Sequence, residues 1–587
     1  MRAHAARVIK QANMSIISKP DFHPAFVTAM KGYSFSKFKQ DLTAGLVVGI
    51  IAIPLAIAFA IASGVTPAVG LVTAIVGGFL VSAFGGNTVQ IGGPTGAFIV
   101  IIYNIIAQYG LEGLALATFM AGCILVLLGL FRLGTVIKFI PYPIVVGFTA
   151  GIAVTIFSTQ MPDFFGLTID EKVPGDFIGK WGVYLRHFST ADMATAIVGL
   201  LSLAIIIITP KISKRIPGAL TAIVTVTLVL WIAREYFGVV GVQTIGDRFG
   251  IISTELPRPQ MIGFDMKSVN LLLPSAFTIA MLGAIESLLS ATVADGVTGG
   301  RTNSNTELIG QGIANITVPL FGGIPVTGAI ARTMANITNG GRTPVAGIVH
   351  ALVLTATFLF AMPLISLVPM SCLAAVLIMV SYNMSGWRTI KGMVNNPMGD
   401  VWVLVVTFLL TVVFDLTIAI EIGMLLAVVV FLRRVSENTT IKVYGDQLDA
   451  ADSDMTQHEV LDLEPGVSVY EIDGPFFFGA ATKFDEIMRV STSGVPYVRI
   501  IRMRRVPFID STGLHNLQIL IESSHKEGIM VVLSGVRDNV REALHRSHID
   551  TLIDRGHICD HISKAVVVAN ELAVRRRMLE HAVVAAD

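Results

Sequence analysis

The sequence predicts a polytopic α-helical membrane protein followed by a soluble α/β domain. The chain of 587 residues is 53% hydrophobic and 14% charged, whereas soluble globular chains carry about 25% charged residues. Its mean hydropathy is +0.72. Apolar runs of about 18 residues or more, the length that spans a bilayer, recur from residue 42 to residue 432. Because the runs recur, they predict about twelve full spans and two short ones rather than a single anchor.

Basic residues indicate the side of the membrane on which each connection lies, because Lys and Arg concentrate in cytoplasmic loops. Residues 1–40 contain seven Lys or Arg residues and no apolar core, so they are typical of a cytoplasmic arm rather than a signal peptide. The connections 162–191 and 235–267 have nearly balanced charge and are predicted to be external. Further basic residues mark cytoplasmic ends of later spans, namely Lys211, Lys214, Arg215, Arg342, Arg388, Lys391, Arg433 and Arg434. Both termini are therefore predicted to be cytoplasmic, in a chain of the cell (inner) membrane.

The composition turns polar after Arg434, and from residue 463 the pattern is typical of an α/β domain. Strands are predicted at 467–472, 498–502 and 530–534, and helices at 510–526 and 536–545. The predicted organisation is a cytoplasmic arm (1–40), a transmembrane domain (41–434), a linker (435–457), the soluble domain (458–575) and a C-terminal tail (576–587).

The sequence lacks motifs for ATP hydrolysis, metal binding and redox chemistry. No GxxxxGK[ST] occurs, so transport by an ATP-driven P-loop pump is excluded, and energy must come from gradients or exchange. The three cysteines, Cys123, Cys372 and Cys559, form neither a CxxC pair nor a disulfide framework. We therefore expect no metal, no cofactor and no catalytic residue. With a net charge of +1, nothing indicates binding to nucleic acid.

A Gly/Pro-rich segment occurs once in each half of the membrane domain. Gly92-Gly93-Pro94-Thr95-Gly96-Ala97 is echoed by Gly322-Gly323-Ile324-Pro325-Val326-Thr327-Gly328-Ala329, with the Thr-Gly-Ala triplets 232 positions apart. Gly64-Val65-Thr66 is echoed by Gly296-Val297-Thr298, also at an offset of 232. Paired interruptions of this kind indicate a transporter binding site, because broken backbone at membrane depth lies only beside protein or a cavity. The alternative is that these residues merely kink packed helices.

The broken segments predict an anion site. Pro94 and Pro325 end any upstream helix, so new helices are expected to begin near Thr95 and Thr327 with free N–H groups. Helix starts carry about half a positive charge each and bind anions. The backbone and hydroxyl groups expected to contact the anion are those of Thr95, Gly96, Ala97, Thr327, Gly328 and Ala329.

Two charged residues accompany the second broken segment. Arg332 follows it directly, and Glu286 lies within an otherwise apolar span. An ionisable group at membrane depth indicates function, since it costs at least about 2.5 kcal/mol on insertion scales. We predict that Arg332 attracts the anion and that Glu286, with Ser290, balances it or carries a coupled proton. The alternative is a structural Glu286–Arg332 pair that only joins two helices.

These residues resemble a known family. The membrane half is similar to SulP anion transporters, the family of prestin and pendrin, in Ile53-Pro54, Gly93-Pro94-Thr95 and Ala331-Arg332. The tail resembles a STAS domain, with Asp510-Ser511-Thr512-Gly513 at the place of its phosphorylatable serine. Ser511 is therefore a candidate regulatory site, and an ordinary N-terminal cap is the alternative. Resemblance to DauA-type bacterial dicarboxylate transporters lies in 283–289, 310–312 and 329–332.

The resemblance implies a UraA-like fold of fourteen spans in two inverted seven-span repeats, with a core domain that moves against a gate domain in a homodimer. It also implies that the pocket is lined by Leu55, Phe59, Thr95, Ile330 and Ala331. Cyanobacterial bicarbonate relatives have an aspartate for sodium at the position of Glu286, so a glutamate favours a proton over sodium here.

The sequence therefore predicts a secondary active transporter of a small anion, namely a C4-dicarboxylate, sulfate or bicarbonate. It is expected to be proton-coupled or exchanging, to work by an elevator-type alternation in the lipid bilayer, and to offer its STAS domain to a cytoplasmic protein partner. Three alternatives remain open at this point: a nucleobase carrier of the same fold, a membrane-bound STAS signalling or sensor protein, and a channel-like anion conductor.

Overall fold

A computed structural model of the chain describes residues 22–584, except 136–140, 172, 214–216, 239–240, 251, 253, 256, 264, 415, 445–446, 449–460 and 480–495. Residues 1–21 of the predicted arm, Lys214, Arg215 and residues 449–457 of the predicted linker therefore lie outside the described residues. The chain forms two compact units, a membrane unit that ends at Ala427 and a C-terminal unit that begins at Val428.

The membrane unit contains one succession of helices in each half of its sequence. The helices of the first half are α1 (Ala25–Met30), α2 (Phe35–Ala62), α3 (Pro67–Phe84), α4 (Ile99–Leu130), α5 (Tyr142–Thr159), α6 (Met161–Phe165), α7 (Phe177–Arg186), α8 (Met193–Ile212) and α9 (Gly218–Phe237). Those of the second half are α10 (Ile245–Phe249), α11 (Met266–Thr298), α12 (Ser304–Thr317), α13 (Ile330–Thr338), α14 (Val345–Phe360), α15 (Met362–Ile365), α16 (Met370–Met384), α17 (Trp387–Met393), α18 (Met398–Val413) and the first part of α19 (Leu416–Asn438), which continues into the C-terminal unit. Two short strands, β1 (Gly92–Gly93) and β2 (Thr327–Gly328), precede α4 and α13.

Several of these helices have the length and composition of membrane spans. Among the described residues, eight helical segments are long and apolar enough to cross a membrane, and α14 and α18 are apolar but shorter. Helix α4 is kinked at Gly110, which has a φ of +69°. The prediction of a multi-pass helical protein is confirmed, whereas the count of fourteen spans stays a prediction.

The helices pack in two groups. The core bundle consists of α2, α3, α4, α11, α12, α13 and α14, and the gate bundle consists of α5, α6, α8, α9, α16 and α18. Within the core bundle, α14 of the second half packs against α2 and α3, and α4 of the first half packs against α11 and α12. This reciprocal packing is what two interlocked repeats produce, and it brings the two broken segments together.

The C-terminal unit is built around a five-stranded sheet of order β3-β6-β7-β8-β9. Strands β6 to β9 are parallel and β3 is antiparallel to β6. The strands of this unit are β3 (Thr440–Tyr444), β4 (Gln447–Leu448), β5 (Leu461–Asp462), β6 (Val467–Asp473), β7 (Val498–Arg505), β8 (Met530–Ser534) and β9 (Ile558–Cys559). Its helices are α20 (Ser511–Lys526), α21 (Asp538–Arg546) and α22 (Ile562–Val584). The three strands and two helices predicted from sequence are confirmed.

The secondary structure of this unit extends past two of the predicted bounds. Strand β3 lies inside the predicted linker 435–457. It belongs to the sheet because it pairs with residues Val469 to Asp473 of β6. The domain therefore begins before residue 458. Helix α22 continues to Val584, so the predicted tail from residue 576 starts inside a helix.

The N-terminal cap of α20 is Asp510, whose side chain accepts from the Gly513 N–H at 2.8 Å, and Ser511 is exposed beside it.

Candidate functional site

Each half of the membrane unit contributes one broken segment, and the two segments cross. Strand β1 pairs antiparallel with β2, with Gly92 opposite Gly328 and Gly93 opposite Thr327. The predicted repeat mates therefore meet in space. Their backbone groups bond to each other, which permits non-helical backbone inside the membrane unit.

Helices begin directly after the crossing. A 3-10 turn at Gly96–Phe98, with Thr95 as its N-cap, leads into α4, as the sequence predicts. Helix α13 begins at Ile330, with Ala329 as its N-cap. The predicted start near Thr327 is wrong, because Thr327 belongs to β2. Neither N-cap side chain accepts a hydrogen bond from its helix, so N–H groups of both first turns are available to a ligand.

Arg332, in the first turn of α13, reaches back across the crossing to the first half. Its side chain is 2% exposed, and its guanidinium donates to the carbonyl oxygens of Gly92, at 3.4 Å, and Pro94. Gly93 has a φ of +151°, and a Cβ on it would stand 2.1 Å from Nη1 of Arg332. A side chain there would strain the backbone and would have to displace the guanidinium. The buried positive charge therefore lies beside the start of both helices.

Glu286 lies on α11 and is half-buried. The Thr95 hydroxyl donates a hydrogen bond of 2.9 Å to its Oε2 atom. Both Glu286 and Arg332 are described, and no direct ion pair joins them. Each instead holds the first broken segment, Glu286 at a hydroxyl and Arg332 at two carbonyl oxygens. The alternative of a structural pair that only joins two helices would call for a direct contact between these two side chains, which the described residues do not show.

A cavity of about 440 Å³ lies between the core and gate bundles in front of the two helix starts. Most of the predicted site residues line it, namely Leu55, Phe59, Thr95, Gly96, Ala97, Glu286, Ala329, Ile330, Ala331 and Arg332. Gly96 lines the cavity without a side chain. A Cβ added to it would stand 3.1 to 3.3 Å from side-chain atoms of Ile156, Met384 and Phe59. The cavity thus combines apolar walls with one acid, one guanidinium and exposed backbone.

Three predicted site residues lie outside this cavity. The Thr327 hydroxyl donates to the carbonyl oxygen of Gly283 at 2.9 Å, and the N–H of Gly328 donates to Ser287 Oγ at 3.0 Å. The Ser290 hydroxyl donates to Thr333 at 3.3 Å. The polar groups of these residues hold β2 and α13 against α11. The residues therefore stabilise the site and do not line the cavity.

The gate bundle and the short helix α17 complete the cavity with residues that sequence reasoning missed. They are Tyr142, Val145, Val146, Phe148, Thr149, Val380, Asn383, Met384, Gly386 and Thr389. Apolar residues of this kind have no sequence signal, since lipid-facing residues look the same. Among the polar residues of this set, Asn383 has a sequence signal, because it is an amide near the end of an apolar helix. Among the described lining residues, the two charged ones belong to the core bundle, and those on the gate side are uncharged.

Comparisons with known proteins agree with this architecture. A model of the "Sulfate permease family" matches residues 38–407, and a STAS domain model matches residues 460–565. "Putative sulfate transporter YvdB" of Bacillus subtilis (strain 168) is 41% identical over 540 residues, which cover 91% of this chain and 98% of that protein. "Bicarbonate transporter BicA" of Picosynechococcus sp. is 30% identical over 526 residues, which cover 87% of this chain and 91% of that protein. A solved structure of SLC26A9 matches with a TM-score of 0.80, at 19% identity, over 98% of this chain and 96% of that chain.

The fold and the cavity between two bundles define a multi-pass membrane transporter with a C-terminal STAS domain. The family model covers more than half of the chain, and the YvdB alignment covers nearly all of it. The chain belongs to the sulfate permease (SulP) family of anion transporters and is not an enzyme. The resemblance predicted from sequence is confirmed at this level.

Proposed function

We propose that this chain is a secondary active transporter that carries a small oxyanion on its core bundle past its gate bundle. The observation that carries the proposal is the distribution of charge in the cavity. Glu286 and Arg332 both belong to the core bundle, and the described residues that line the cavity from the gate side are uncharged. An anion held by Arg332 and the two helix starts therefore moves with the core bundle and slides along a neutral gate surface, which is an elevator-type alternation.

The proposed substrates are sulfate, bicarbonate and C4-dicarboxylates. Relatives of this chain are named as transporters of sulfate and of bicarbonate, both small oxyanions. Carboxylate and sulfate oxygens accept hydrogen bonds from backbone N–H groups and from a guanidinium. A neutral nucleobase would gain little from the positive charge of Arg332, so the cavity favours an anion.

Charge balance in the cavity supports proton coupling through Glu286. Two helix starts contribute about half a positive charge each, and Arg332 contributes a full one. With Glu286 ionised, a net charge of about +1 remains for a monoanion; with Glu286 protonated, the net charge of about +2 matches a dianion. We therefore expect dianions to move together with a proton, and we propose the proton rather than sodium as coupling ion.

The proposal extends to location and assembly. The chain is proposed to lie in the cell (inner) membrane as a homodimer with both termini in the cytoplasm. The basic residues of the predicted cytoplasmic loops support the placement of the termini. The STAS domain is proposed to bind a cytoplasmic protein. Ser511 is the candidate regulatory contact, because it is exposed at the start of α20.

Uptake by the purified full chain in proteoliposomes tests the proposed function. Labelled sulfate is offered with unlabelled sulfate, bicarbonate, succinate or uracil as competitor, under a proton gradient or a sodium gradient. We expect concentrative uptake under the proton gradient and competition by the oxyanions but not by uracil. Competition by uracil, accumulation that depends on sodium alone, or flux that only follows the membrane potential would overturn it.

A further inference from the structure

Helix α12 carries a polar stripe that the cavity does not use. Glu307, Gln311 and Asn315 are spaced by four residues, so they share one face of the helix. All three are at most 1% exposed. Polar groups buried this deeply in a membrane protein require partners.

The Glu307 end of the stripe holds the connection that leads into β1. Oε2 of Glu307 accepts from the N–H groups of Gly86, at 2.8 Å, and Asn87, at 3.1 Å. Oε1 accepts from the side-chain amides of Gln90, at 2.8 Å, and Gln311, at 3.0 Å. All four partners are N–H donors, so the carboxyl group acts only as an acceptor. One side chain of the second half thus fixes three residues of the first.

The Asn315 end of the stripe holds the other broken segment. Oδ1 of Asn315 accepts from the Val326 N–H at 2.9 Å, and its Nδ2 donates to the Val326 carbonyl oxygen at 2.8 Å. Val326 directly precedes β2. Residues at the two ends of the stripe therefore bind the segments that lead into β1 and β2, the two strands that cross at the site.

The backbone before β1 packs very closely against α12. A Cβ on Gly86 would stand 2.2 Å from the carbonyl oxygen of Asn303, and a Cβ on Gly310 would stand 2.7 Å from the Gly85 nitrogen. The connection before β1 lies directly on α12, and only glycines permit that distance. Gln90 continues the contact, since a Cβ on Gly328 of β2 would stand 1.9 Å from its Nε2 atom.

We propose that Glu307 and Asn315 are positioning residues for the transport site. By holding the segments before β1 and β2, they fix the carbonyl oxygens that orient Arg332 and the two helix starts that face the cavity. Neither residue lines the cavity, so both act through the backbone. This inference rests on the proposed function where it predicts weaker sulfate binding. Its prediction of faster hydrogen exchange does not depend on the proposed function.

The conservative variant of Glu307 separates hydrogen bonding from charge. In Glu307→Gln, the amide oxygen can accept from Gly86 and Asn87, and the amide nitrogen can donate to the side-chain oxygens of Gln90 and Gln311. Those two oxygens have no partner among the described atoms. Glu307→Gln should therefore keep the geometry, whereas Glu307→Ala leaves four donors unsatisfied.

Hydrogen exchange and sulfate binding on the purified full chain test the proposal. In Glu307→Ala and Asn315→Ala, we expect faster exchange confined to residues 85–98 and 322–332, and sulfate binding weakened about tenfold or more. Glu307→Gln should restore both. Thr118→Ala is the matched control, because this buried hydroxyl bonds only to Leu114 of its own helix.

Each outcome decides the matter. Unchanged hydrogen exchange in residues 85–98 and 322–332 of the alanine variants would overturn the proposal whether or not sulfate binds. A loss of protection throughout the membrane unit would overturn it too, because that result indicates a general structural role. Local deprotection with unchanged sulfate affinity would overturn it as well. If the wild-type chain binds no sulfate, the proposed substrate fails, while the exchange pattern still decides the positioning role.

Discussion

The Thr95 hydroxyl donates a 2.9 Å hydrogen bond to Oε2 of Glu286. This bond joins the N-cap of the first broken segment to a helix of the second half, while Arg332 of the second half bonds to Gly92 and Pro94 of the first. The acid and the guanidinium thus act on the same segment from two helices. We therefore expect protonation or ligand binding at one of them to affect the other through that segment.

Glu286→Gln should abolish concentrative uptake of a dianion under a proton gradient while anion exchange between equal pH values continues. The amide can still accept from Thr95, but it cannot take up a proton. The measurement is sulfate uptake in proteoliposomes with and without a pH gradient. Glu112→Gln, an exposed acid on α4, is the matched control. A Glu286→Gln variant that still concentrates sulfate in the gradient would remove Glu286 from coupling.

Gly93→Ala should reduce transport at least about tenfold without loss of the folded protein. A Cβ at this position would collide with Nη1 of Arg332, and the φ of +151° is unfavourable for alanine. Gly182→Ala is the control, because a Cβ there meets nothing within 4 Å. Initial uptake rates and gel-filtration profiles of both variants provide the check, and equal rates would mean that Arg332 has room to move.

Asp41→Ala should lower thermal stability. The buried Asp41 carboxylate accepts from Tyr33, from the N–H groups of Arg342 and Thr343, and from the Thr343 hydroxyl. Burial and the hydrogen bond to Asp41 raise the pKa of Tyr33 to about 12, so the phenol stays a donor at alkaline as well as neutral pH.

The loss at Asp41 is expected to be about 3 kcal/mol, seen as a melting midpoint in detergent several degrees lower. Thr43→Ala is the comparison, since this exposed hydroxyl bonds only to Lys39 of its own helix. Equal melting midpoints for the two variants would show that Asp41 does not fasten the start of α2 to the loop before α14.

Local sequence patterns were enough for much of the fold. Strand β8 and helix α20 match their predicted bounds closely, because alternation, capping and hydrophobic period are encoded within each segment. Strand β3 was missed because it is defined by pairing with β6, which lies outside the polar stretch where β3 occurs. Pairing across sequence distance leaves little trace in a single sequence.

The site shows the same division between local and non-local information. Glu286 was found because charged groups are rare in apolar spans, and Thr95 and Arg332 were found because they lie in or directly after the repeated Gly/Pro-broken segments. The displaced start at Thr327 follows from pairing of β1 with β2, which lie in different halves of the chain. Phe148 and Val380 of the gate side were missed because an apolar residue at a substrate cavity has the same composition signal as one that faces lipid.

The most direct test of the account is equilibrium binding of a labelled anion to the purified full chain, wild type against Arg332→Gln. The anion is sulfate, or whichever of sulfate, bicarbonate and succinate competes best in uptake. Arg186→Gln, an exposed arginine on α7, is the control. The account predicts that Arg332→Gln weakens binding about hundredfold or more, because a buried charge-assisted contact is lost, while Arg186→Gln binds as wild type does. Binding by a folded Arg332→Gln protein within about threefold of wild type would contradict it.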